Sequence, residues 1–195
     1  MKSFVKIAAA VAMCAAASSP ALAQSFDCIT DNSAASCTQA EGALSWTFVG
    51  NVFTISAAAG FTGNVAEVYF DFVDGTGASV SFLTGVGSSF SAGAAPPSLP
   101  GGNALNPDFD TDFAFDSRTP SSNGITGGES ASFTITGMTS GVFSGMAGVH
   151  VRSLAGGQSE GLVTTVTAVP EPGTYALMLA GLAVVGFMAR RRRQA

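Results

Sequence analysis

From Ala66 onward, the segment VAEVYFDFV (Val65 to Val73) alternates between apolar and polar side chains. A period of two residues is the geometry of a β-strand with one buried face, and it does not fit an amphipathic helix. Between residues 24 and 168, no segment holds a helical apolar period for three turns. The core therefore has to be built from strands. We expect one face of this strand to carry Ala66, Val68, Phe70 and Phe72, and the other face Glu67, Tyr69 and Asp71.

Other segments show the same pattern, with turn residues between them. LSWTFVGNVFTISA, from Leu44 to Ala57, predicts a hairpin around Gly50-Asn51. Asp74-Gly75 predicts a turn before a further strand, and ASFTITGM, VFSGMAGVHVRSL and GLVTTVTAV predict three more strands. Short strands separated by turn signals indicate an all-β, antiparallel body of the β-sandwich or jelly-roll type. The Pro- and Gly-rich stretch from Ser91 to Pro107 predicts a long irregular connection, either mobile or functional.

The first 23 residues have the features of a secretory signal peptide. Lys2 and Lys6 give a positive start, an apolar run extends from Ile7 to Ala17, and Ala21-Leu22-Ala23 provides a small-residue cleavage site. We expect cleavage after Ala23. No arginine pair precedes the apolar run, so we expect the general secretion route rather than the twin-arginine route.

The part of the chain that would be exported is acidic. The whole chain has 13 acidic and 8 basic residues and a formal charge of −5. Most of the basic residues lie in the two terminal segments. Between Gln24 and Val169, twelve acidic residues face only Arg118 and Arg152, which gives a net charge near −10. Such a charge repels nucleic acid and anionic lipid, and it argues against a DNA- or RNA-binding role.

Cys28 and Cys37 are the two cysteines of the exported part. Eight residues separate them, which is too many for a close pair of metal ligands, and no third cysteine is left to complete a zinc site. An exported protein folds in an oxidising compartment, so we expect a disulfide between Cys28 and Cys37. On the loop-entropy model such a bond stabilises the fold by roughly 2.5–3 kcal/mol.

Two features resemble catalytic sites only in part. GQSEG, from Gly157 to Gly161, matches the G-x-S-x-G pattern of serine hydrolases, in which a helix and later a histidine follow the serine. Here a β-branched run follows Ser159, and the only histidine, His150, precedes it. We therefore expect His150 on a strand surface, and we expect that the protein is not an enzyme. A glycosidase would need two carboxylates, and no local pattern selects a pair from Glu41, Glu67, Glu129 and Glu160.

The segment NPDFDTDFAFD is the one candidate for a metal site. Its D-x-D-x-D start resembles a calcium loop, because oxygen ligands at alternate positions can surround a hard cation. It departs from the EF-hand pattern, since Phe113 stands at the sixth position and Thr119 at the twelfth. Two interpretations stay open, a calcium site of another type and a solvated acidic loop. The residues concerned are Asp108, Asp110, Asp112 and Asp116.

Three features follow one another in the last 27 residues. Val169-Pro170-Glu171-Pro172 is held extended by its two prolines. Gly173 to Ala189 is an uncharged run of 17 residues, about 25 Å long as a helix, near the lower limit for spanning a bilayer. Four consecutive arginines then stop transfer and stay cytoplasmic by the positive-inside rule. They are Arg190, Arg191, Arg192 and Arg193. A simple membrane anchor would not need the Pro-Glu-Pro segment.

In these residues the chain resembles the PEP-CTERM family of sorting tails, also named ice-binding protein C-terminal domains. The resemblance covers residues 169–195 and implies recognition of the motif by exosortase, a membrane protease-transferase of Gram-negative bacteria that usually make exopolysaccharide. AGVHVRSLAGGQSEGLV is also similar to a segment often found just upstream of such tails. A link to ice binding has little support in the body, where T-x-T, as at Thr134 and Thr136, does not build a repeated flat array.

The resemblance suggests a function for the body only in outline. We expect residues 24–168 to form an exported, non-enzymatic structural protein that passes through the inner membrane to the cell surface or the extracellular matrix of a biofilm. Its expected partners are exosortase and exopolysaccharide. Two alternatives are a carbohydrate-binding or adhesive module, which would carry a shallow exposed aromatic surface, and a secreted hydrolase, which would carry converging carboxylates or a nucleophile beside His150.

Overall fold

The alternating segments fold into strands throughout the part of the chain that the structure describes. In this computed structural model that part comprises residues 23–72, 77–117, 123–138 and 143–167, and nearly all of it belongs to one compact unit, Gln24–Val166. The elements are, in chain order, β1 (Ala23–Cys28), α1 (Ala34–Ala43), β2 (Leu44–Val49), β3 (Val52–Ala57), β4 (Asn64–Phe72), β5 (Ser79–Val86), β6 (Ser91–Ala92), β7 (Phe113–Asp116), β8 (Ser130–Thr136), β9 (Gly145–Arg152) and β10 (Glu160–Thr167).

The ten described strands form a single sheet in the order β5-β8-β3-β2-β1-β10-β9-β4-β7-β6. Every strand pair with a described register is antiparallel, which confirms the prediction of an all-β antiparallel body. The predicted sandwich would consist of two separate sheets. Instead, one sheet curls until its two edge strands, β5 and β6, come close together. Because neighbouring strands twist relative to one another, a single sheet of this size can curl and enclose its own apolar face.

The hairpin of β2 and β3 forms as predicted. Val49 pairs with Val52 across the two-residue loop Gly50-Asn51. Gly50 has a φ of +63°, a left-handed conformation that glycine adopts without steric cost and that a tight hairpin turn requires. Trp46 pairs with Ile55, and both side chains are buried.

β4 follows the predicted alternation with one correction. A bulge between Val65 and Glu67 shifts the register against β9. As a result Val65 belongs to the inner apolar cluster, together with Val68 and Phe70, and Ala66 does not. A bulge inserts one extra residue, so the assignment of faces changes on its N-terminal side only.

The inner face of the sheet is filled mainly by aromatic rings. Phe133 of β8 is fully buried. Its ring centroid lies 5.1 to 5.8 Å from those of Phe70, Phe82, Phe90 and Phe115. These rings are tilted or edge-to-face, the arrangements that the charge distribution of aromatic rings favours.

A long connection covers part of the outer face. Residues 93–112, which we call the strap, run between β6 and β7 and include much of the Pro- and Gly-rich stretch. Leu99 and Phe109 of the strap are buried in a second, smaller apolar cluster with Tyr69 and Val163 of the sheet. Gly148 allows this close approach, because a Cβ at that position would lie 2.5 Å from the Leu99 side chain. Apolar contacts therefore hold the predicted irregular connection against the sheet.

The sequence pattern does not predict the helix α1. Its sequence, AASCTQAEGA, is small and polar on most sides and has no apolar stripe, so it gives no periodic signal. Only Ser36, Cys37 and Ala40 of this helix are buried. A short helix without an amphipathic face needs tertiary contacts to form.

Replacing the central ring tests the importance of the aromatic core. Phe133→Ala should lower the free energy of unfolding by about 3–5 kcal/mol, since it removes the contacts to four rings and leaves a cavity. Urea unfolding followed by tryptophan fluorescence measures this change, because Trp46 is the only tryptophan. Val49→Ala, at an exposed hairpin position, is the control and should change stability by less than about 0.5 kcal/mol. Similar effects of the two changes would contradict a core centred on Phe133.

Candidate functional site

The side chain of Glu160, at the start of β10, is completely buried next to the N-terminus of α1. Both carboxylate oxygens accept hydrogen bonds from the segment that leads into this helix. Oε2 accepts from Thr30 Oγ1 (2.5 Å) and Asn32 N (3.1 Å), and Oε1 accepts from Ser33 N (3.1 Å) and Ser36 Oγ (2.5 Å). Glu160 therefore acts on the end of a helix that is more than 100 residues away in sequence.

This carboxylate lies at the N-terminus of a helix that has no side-chain cap of its own. Ser33 is the N-cap residue of α1, yet its own side chain makes no capping hydrogen bond. A negative charge is stabilised at a helix N-terminus, where backbone N–H groups lack helical partners. Burial by itself raises the pKa of Glu160, but the hydrogen bonds from Ser36, Thr30, Asn32 and Ser33 outweigh it, so the pKa lies below that of an ordinary glutamate.

The cysteine pair lies beside the same carboxylate. Cys28 and Cys37 form a disulfide, with an S–S distance of 1.98 Å and a Cα–Cα distance of 5.6 Å. Among the residues that the structure describes, Cys28, Cys37 and Glu160 are the one group of three or more His, Cys, Asp or Glu side chains close enough to share a metal ion. Metals bind thiolates, so the oxidised pair does not offer its sulfurs as such ligands. In the oxidised state the disulfide links β1 to α1, and the hydrogen bonds of Glu160 link the same segment to β10.

The GQSEG motif forms part of this link. Ser159 directly precedes β10, so a strand follows it and no helix does. Its carbonyl oxygen accepts a hydrogen bond from Asn32 Nδ2 at 2.6 Å. Glu160, the next residue of the motif, supplies the buried carboxylate. The contacts described for this motif therefore hold the segment around residues 30–36 in place.

A second buried carboxylate lies on the outer face of the sheet, in β4. Glu67 is almost fully buried, with 1% of its surface exposed. Its Oε2 lies 2.8 Å from His150 Nδ1, and its Oε1 accepts a hydrogen bond from the Arg152 guanidinium. Burying a carboxylate without partners would be costly, and here two neighbours on β9 supply them.

The position of His150 corrects a prediction. The alternation in GVHVRSL correctly puts His150 and Arg152 on one face, but that face is covered and His150 is only 9% exposed. The prediction of a surface histidine was wrong because the sequence does not show that Glu67 lies opposite His150 in the register of β4 and β9. The sequence does show a titratable residue inside each of two strands, Glu67 and His150. This signal predicts a buried pair only when it is known that the two strands are neighbours.

Tyr69 connects this network to the strap. Its ring is fully buried, and its hydroxyl donates to the carbonyl oxygen of Pro96 at 3.0 Å. Burial, and then the negative charge of Glu67, raise the pKa of Tyr69. Arg152 also lies 3.4 Å from the carbonyl oxygen of Ala95. Two polar side chains of the sheet thus reach the backbone of the strap at neighbouring positions.

Three aspartates of the calcium hypothesis, Asp108, Asp110 and Asp112, precede β7, and Asp116 is the last residue of that strand. Asp112 precedes the strand, and its Oδ2 accepts from Phe72 N at 2.8 Å. The backbone N–H of Asp110 donates to Asp71 Oδ2 at 3.0 Å. Asp71, near the end of β4, therefore contacts this part of the loop, although the calcium hypothesis does not include it.

Asp116 lies at the opposite end of β7, roughly 13 Å from Asp112 for an extended strand, and opposite Glu67 in the register. Asp108 lines a cleft of about 240 Å³ together with Asp71, Phe72, Pro107, Gly145 and Met146. Within the described residues, these aspartates do not form a group of converging ligand atoms. Calcium binding stays a prediction.

The sorting residues and the signal peptide fall outside the described residues. They are residues 1–22, Val169, Pro170, Glu171, Pro172, the run from Gly173 to Ala189, and Arg190, Arg191, Arg192 and Arg193. The roles predicted for them, as sorting motif, membrane helix and stop-transfer signal, therefore stay predictions. No helix in the described ranges has the length and apolar character that a membrane span requires. A family model, the PEP-CTERM protein-sorting motif, matches residues 168–193.

The chain carries a PEP-CTERM sorting motif. This confirms the resemblance seen in the Pro-Glu-Pro segment, the apolar run and the arginines. The PEP-CTERM motif implies exosortase-dependent sorting of an exported protein, and it begins directly after β10 ends. For the body, residues 24–168, no relative suggests a function, because neither the curated proteins nor the solved structures gave a match to this chain.

Glu160→Gln tests the buried link. The substitution should lower the free energy of unfolding by about 1–3 kcal/mol at neutral pH, because the amide cannot accept all the hydrogen bonds that the carboxylate accepts. Urea unfolding gives the difference. Glu41→Gln is the matched control: Glu41 is exposed and accepts one hydrogen bond, from Cys28 N at 2.9 Å. We expect the control to change stability by less than about 0.5 kcal/mol.

The lowered pKa of Glu160 also sets the sign of a pH effect. The folded state favours the ionised carboxylate, so its stabilisation is fully present above the unfolded-state pKa of glutamate. It is lost as the pH falls through the lower folded-state pKa. The stabilities of the wild-type protein and of Glu160→Gln should therefore converge in acid. A constant difference from neutral to acidic pH would rule out a role for the ionised form.

Tyr69→Phe tests the attachment of the strap. The change removes one buried hydroxyl and leaves the Pro96 carbonyl oxygen without this donor, so it should lower stability by about 0.5–1.5 kcal/mol. Hydrogen exchange should speed up in residues 93–112 more than in β2 and β3. Equal acceleration in the strap and in this hairpin would show that the hydroxyl does not anchor the strap specifically.

Proposed function

We propose that the chain is a non-catalytic structural protein of the cell surface or extracellular matrix, delivered through its PEP-CTERM motif by exosortase. The observation that carries the proposal is the motif at residues 168–193, which directly follows the last strand of a disulfide-linked body. A disulfide suits an oxidising compartment outside the cytoplasm. The body's negative charge favours solubility there.

The buried polar groups support a structural role rather than a catalytic one. Each oxygen of Glu67 and of Glu160 has a partner within the protein. A general acid or base has to reach a substrate proton in a pocket, whereas these carboxylates hold strands, a helix and the strap together. The two buried glutamates, which could be mistaken for catalytic residues, are thus explained by the stability that they give to the fold.

A carbohydrate-binding module is the main alternative, and it would need a platform for sugar rings. The large hydrophobic side chains that are exposed in the described part of the chain are Val49, Leu83 and Val86, and none of them is aromatic. Sugar-binding faces commonly use aromatic rings because these offer a flat apolar surface beside polar groups. The described surface therefore gives this alternative no specific support.

Glu171→Ala in the full-length chain tests the sorting. If exosortase reads the Pro-Glu-Pro segment, the variant should remain as unprocessed protein in the inner membrane, while the wild type loses its C-terminal segment and reaches the surface. Fractionation and a C-terminal peptide map measure both effects. Glu129→Ala, which changes a glutamate of the body, is the control and should be processed like the wild type.

A second variant separates recognition from retention. Deletion of the four arginines, residues 190–193, should weaken retention before processing, because they hold the segment on the cytoplasmic side. Recovery of Arg190 to Ala195 on mature, surface-exposed wild-type protein would show that no cleavage takes place. The sorting proposal would then fail.

A further inference from the structure

Charged residues are distributed unequally over the sheet. The neighbouring strands β5, β8, β3 and β2 contain no Asp, Glu, Lys, Arg or His. The other long strands all carry charged or titratable side chains, among them Glu67 and Asp71 of β4 and Glu160 of β10. We call β2, β3, β5 and β8 the uncharged half of the sheet. In a body with a net charge near −10, such a surface is an exception.

The outer face of the uncharged half is a regular array of small hydroxyl side chains. Cross-strand registers align them in rows: Ser45 with Ser56 and Ser130, Thr47 with Thr54 and Ser132, Ser81 with Thr134, and Ser79 with Thr136. Val49, Leu83 and Val86, the exposed large hydrophobic residues of the described part of the chain, belong to the same half. The array spans strands that the sequence separates, so only the fold makes it visible. This surface combines exposed apolar groups with a lack of charge.

β5 forms one edge of the sheet. It pairs with β8 on one side, and no backbone hydrogen bond joins Ser79–Val86 to a described residue outside β8. The other edge strand, β6, comes near β5 but has two residues against eight, so among the described residues it covers only part of β5. Along an edge strand, half of the backbone N–H and C=O groups point away from the sheet. Those groups of β5 can accept another strand.

Protein sheets usually protect their edges with charged residues, proline or a bulge. β5, with the sequence SVSFLTGV, has no charge and no proline. It does have a bulge between Phe82 and Thr84, but the residue in the bulge is Leu83, which is 54% exposed. The bulge therefore presents an apolar side chain at the edge and leaves Ser79–Phe82 as a regular segment.

We propose that a second copy of this chain docks on β5, with the two β5 strands pairing antiparallel about a two-fold axis. Such an interface is made of the same surface on both copies, and backbone hydrogen bonds supply the pairing. Acidic bodies repel each other over most of their surface, while the strands of the uncharged half bring no charged side chain of their own into the contact. A strongly charged partner would find no opposite charge there.

This pairing deepens the proposed structural role, since it joins exported copies to one another at the cell surface. Leu83 and Val86 of each copy would lose exposed apolar surface in the contact. The inference rests on the proposed function only for the location of the pairing, which is the cell surface. The contact itself depends on the body.

Photo-crosslinking in the full-length chain, made in a host with exosortase, tests the contact. A photoreactive residue at Ser79 should give a covalent dimer. The same residue at Ser45 should give about tenfold less, because Ser45 is also exposed but lies in β2, which is paired on both sides. Equal dimer yields at the two positions would show stacking of faces and overturn the edge contact. A crosslink to polysaccharide or to an unrelated protein, without a dimer, would overturn it too.

Charge substitutions at Ser81 provide the second arm. Ser81→Asp alone and Ser81→Lys alone should each reduce the Ser79 crosslink by about tenfold, a change of about 1.4 kcal/mol, because like charges then meet at the interface. Ser45→Asp should leave the yield unchanged. Mixing S81D copies with S81K copies should restore the dimer, which also shows that both variants fold. Failure of the mixed pair to recover overturns the proposal.

The location of the protein is scored separately from the dimer. Wild-type protein that reaches the surface without a Ser79 crosslink overturns the pairing and leaves the sorting proposal intact. Protein that is never processed contradicts the sorting proposal, and its crosslink is scored in the membrane fraction in the same way. The two failures are therefore distinguishable.

Discussion

The buried carboxylate of Glu160 joins the beginning of the fold to its end. A carboxylate in a dry interior needs hydrogen-bond donors, and residues 30–36 provide four of them. Satisfying that need keeps the start of β10 beside the segment that follows β1, over a separation of up to 130 residues. The disulfide then closes the same segment on itself. Since closing a long loop costs conformational entropy, several contacts have to act together at this point.

The second buried carboxylate organises the other side of the molecule. Glu67 brings His150 and Arg152 together, and Tyr69 and Arg152 reach the strap from the same face. Polar groups are thus concentrated where the outer face is covered. The uncharged half has the opposite character, with small hydroxyls outside and aromatic rings inside. This division follows from the strand order, which gathers the strands without charges on one side of the sheet.

Several elements could be predicted because their signals are local. The β2–β3 hairpin needs only alternation and the Gly50-Asn51 turn, and β4 needs only its period of two. Other features could not be predicted. α1 has no apolar stripe and is held by Glu160 and by the disulfide from Cys28, so its stability comes from residues outside the helix. His150 was misplaced for a similar reason, since its environment depends on the pairing of β4 with β9.

The sequence by itself determined seven of the ten described strands, β2 to β5 and β8 to β10, the position of the tight hairpin, and the sorting motif at residues 168–193. Each of these is encoded in neighbouring residues, through side-chain period, turn chemistry or a contiguous pattern. The tertiary structure decided that one sheet curls around the core, that two glutamates become buried partners, and that the strands without charges end in an exposed β5. Those outcomes depend on which distant strands pair. A period of two places a side chain on a face but does not say what will cover that face.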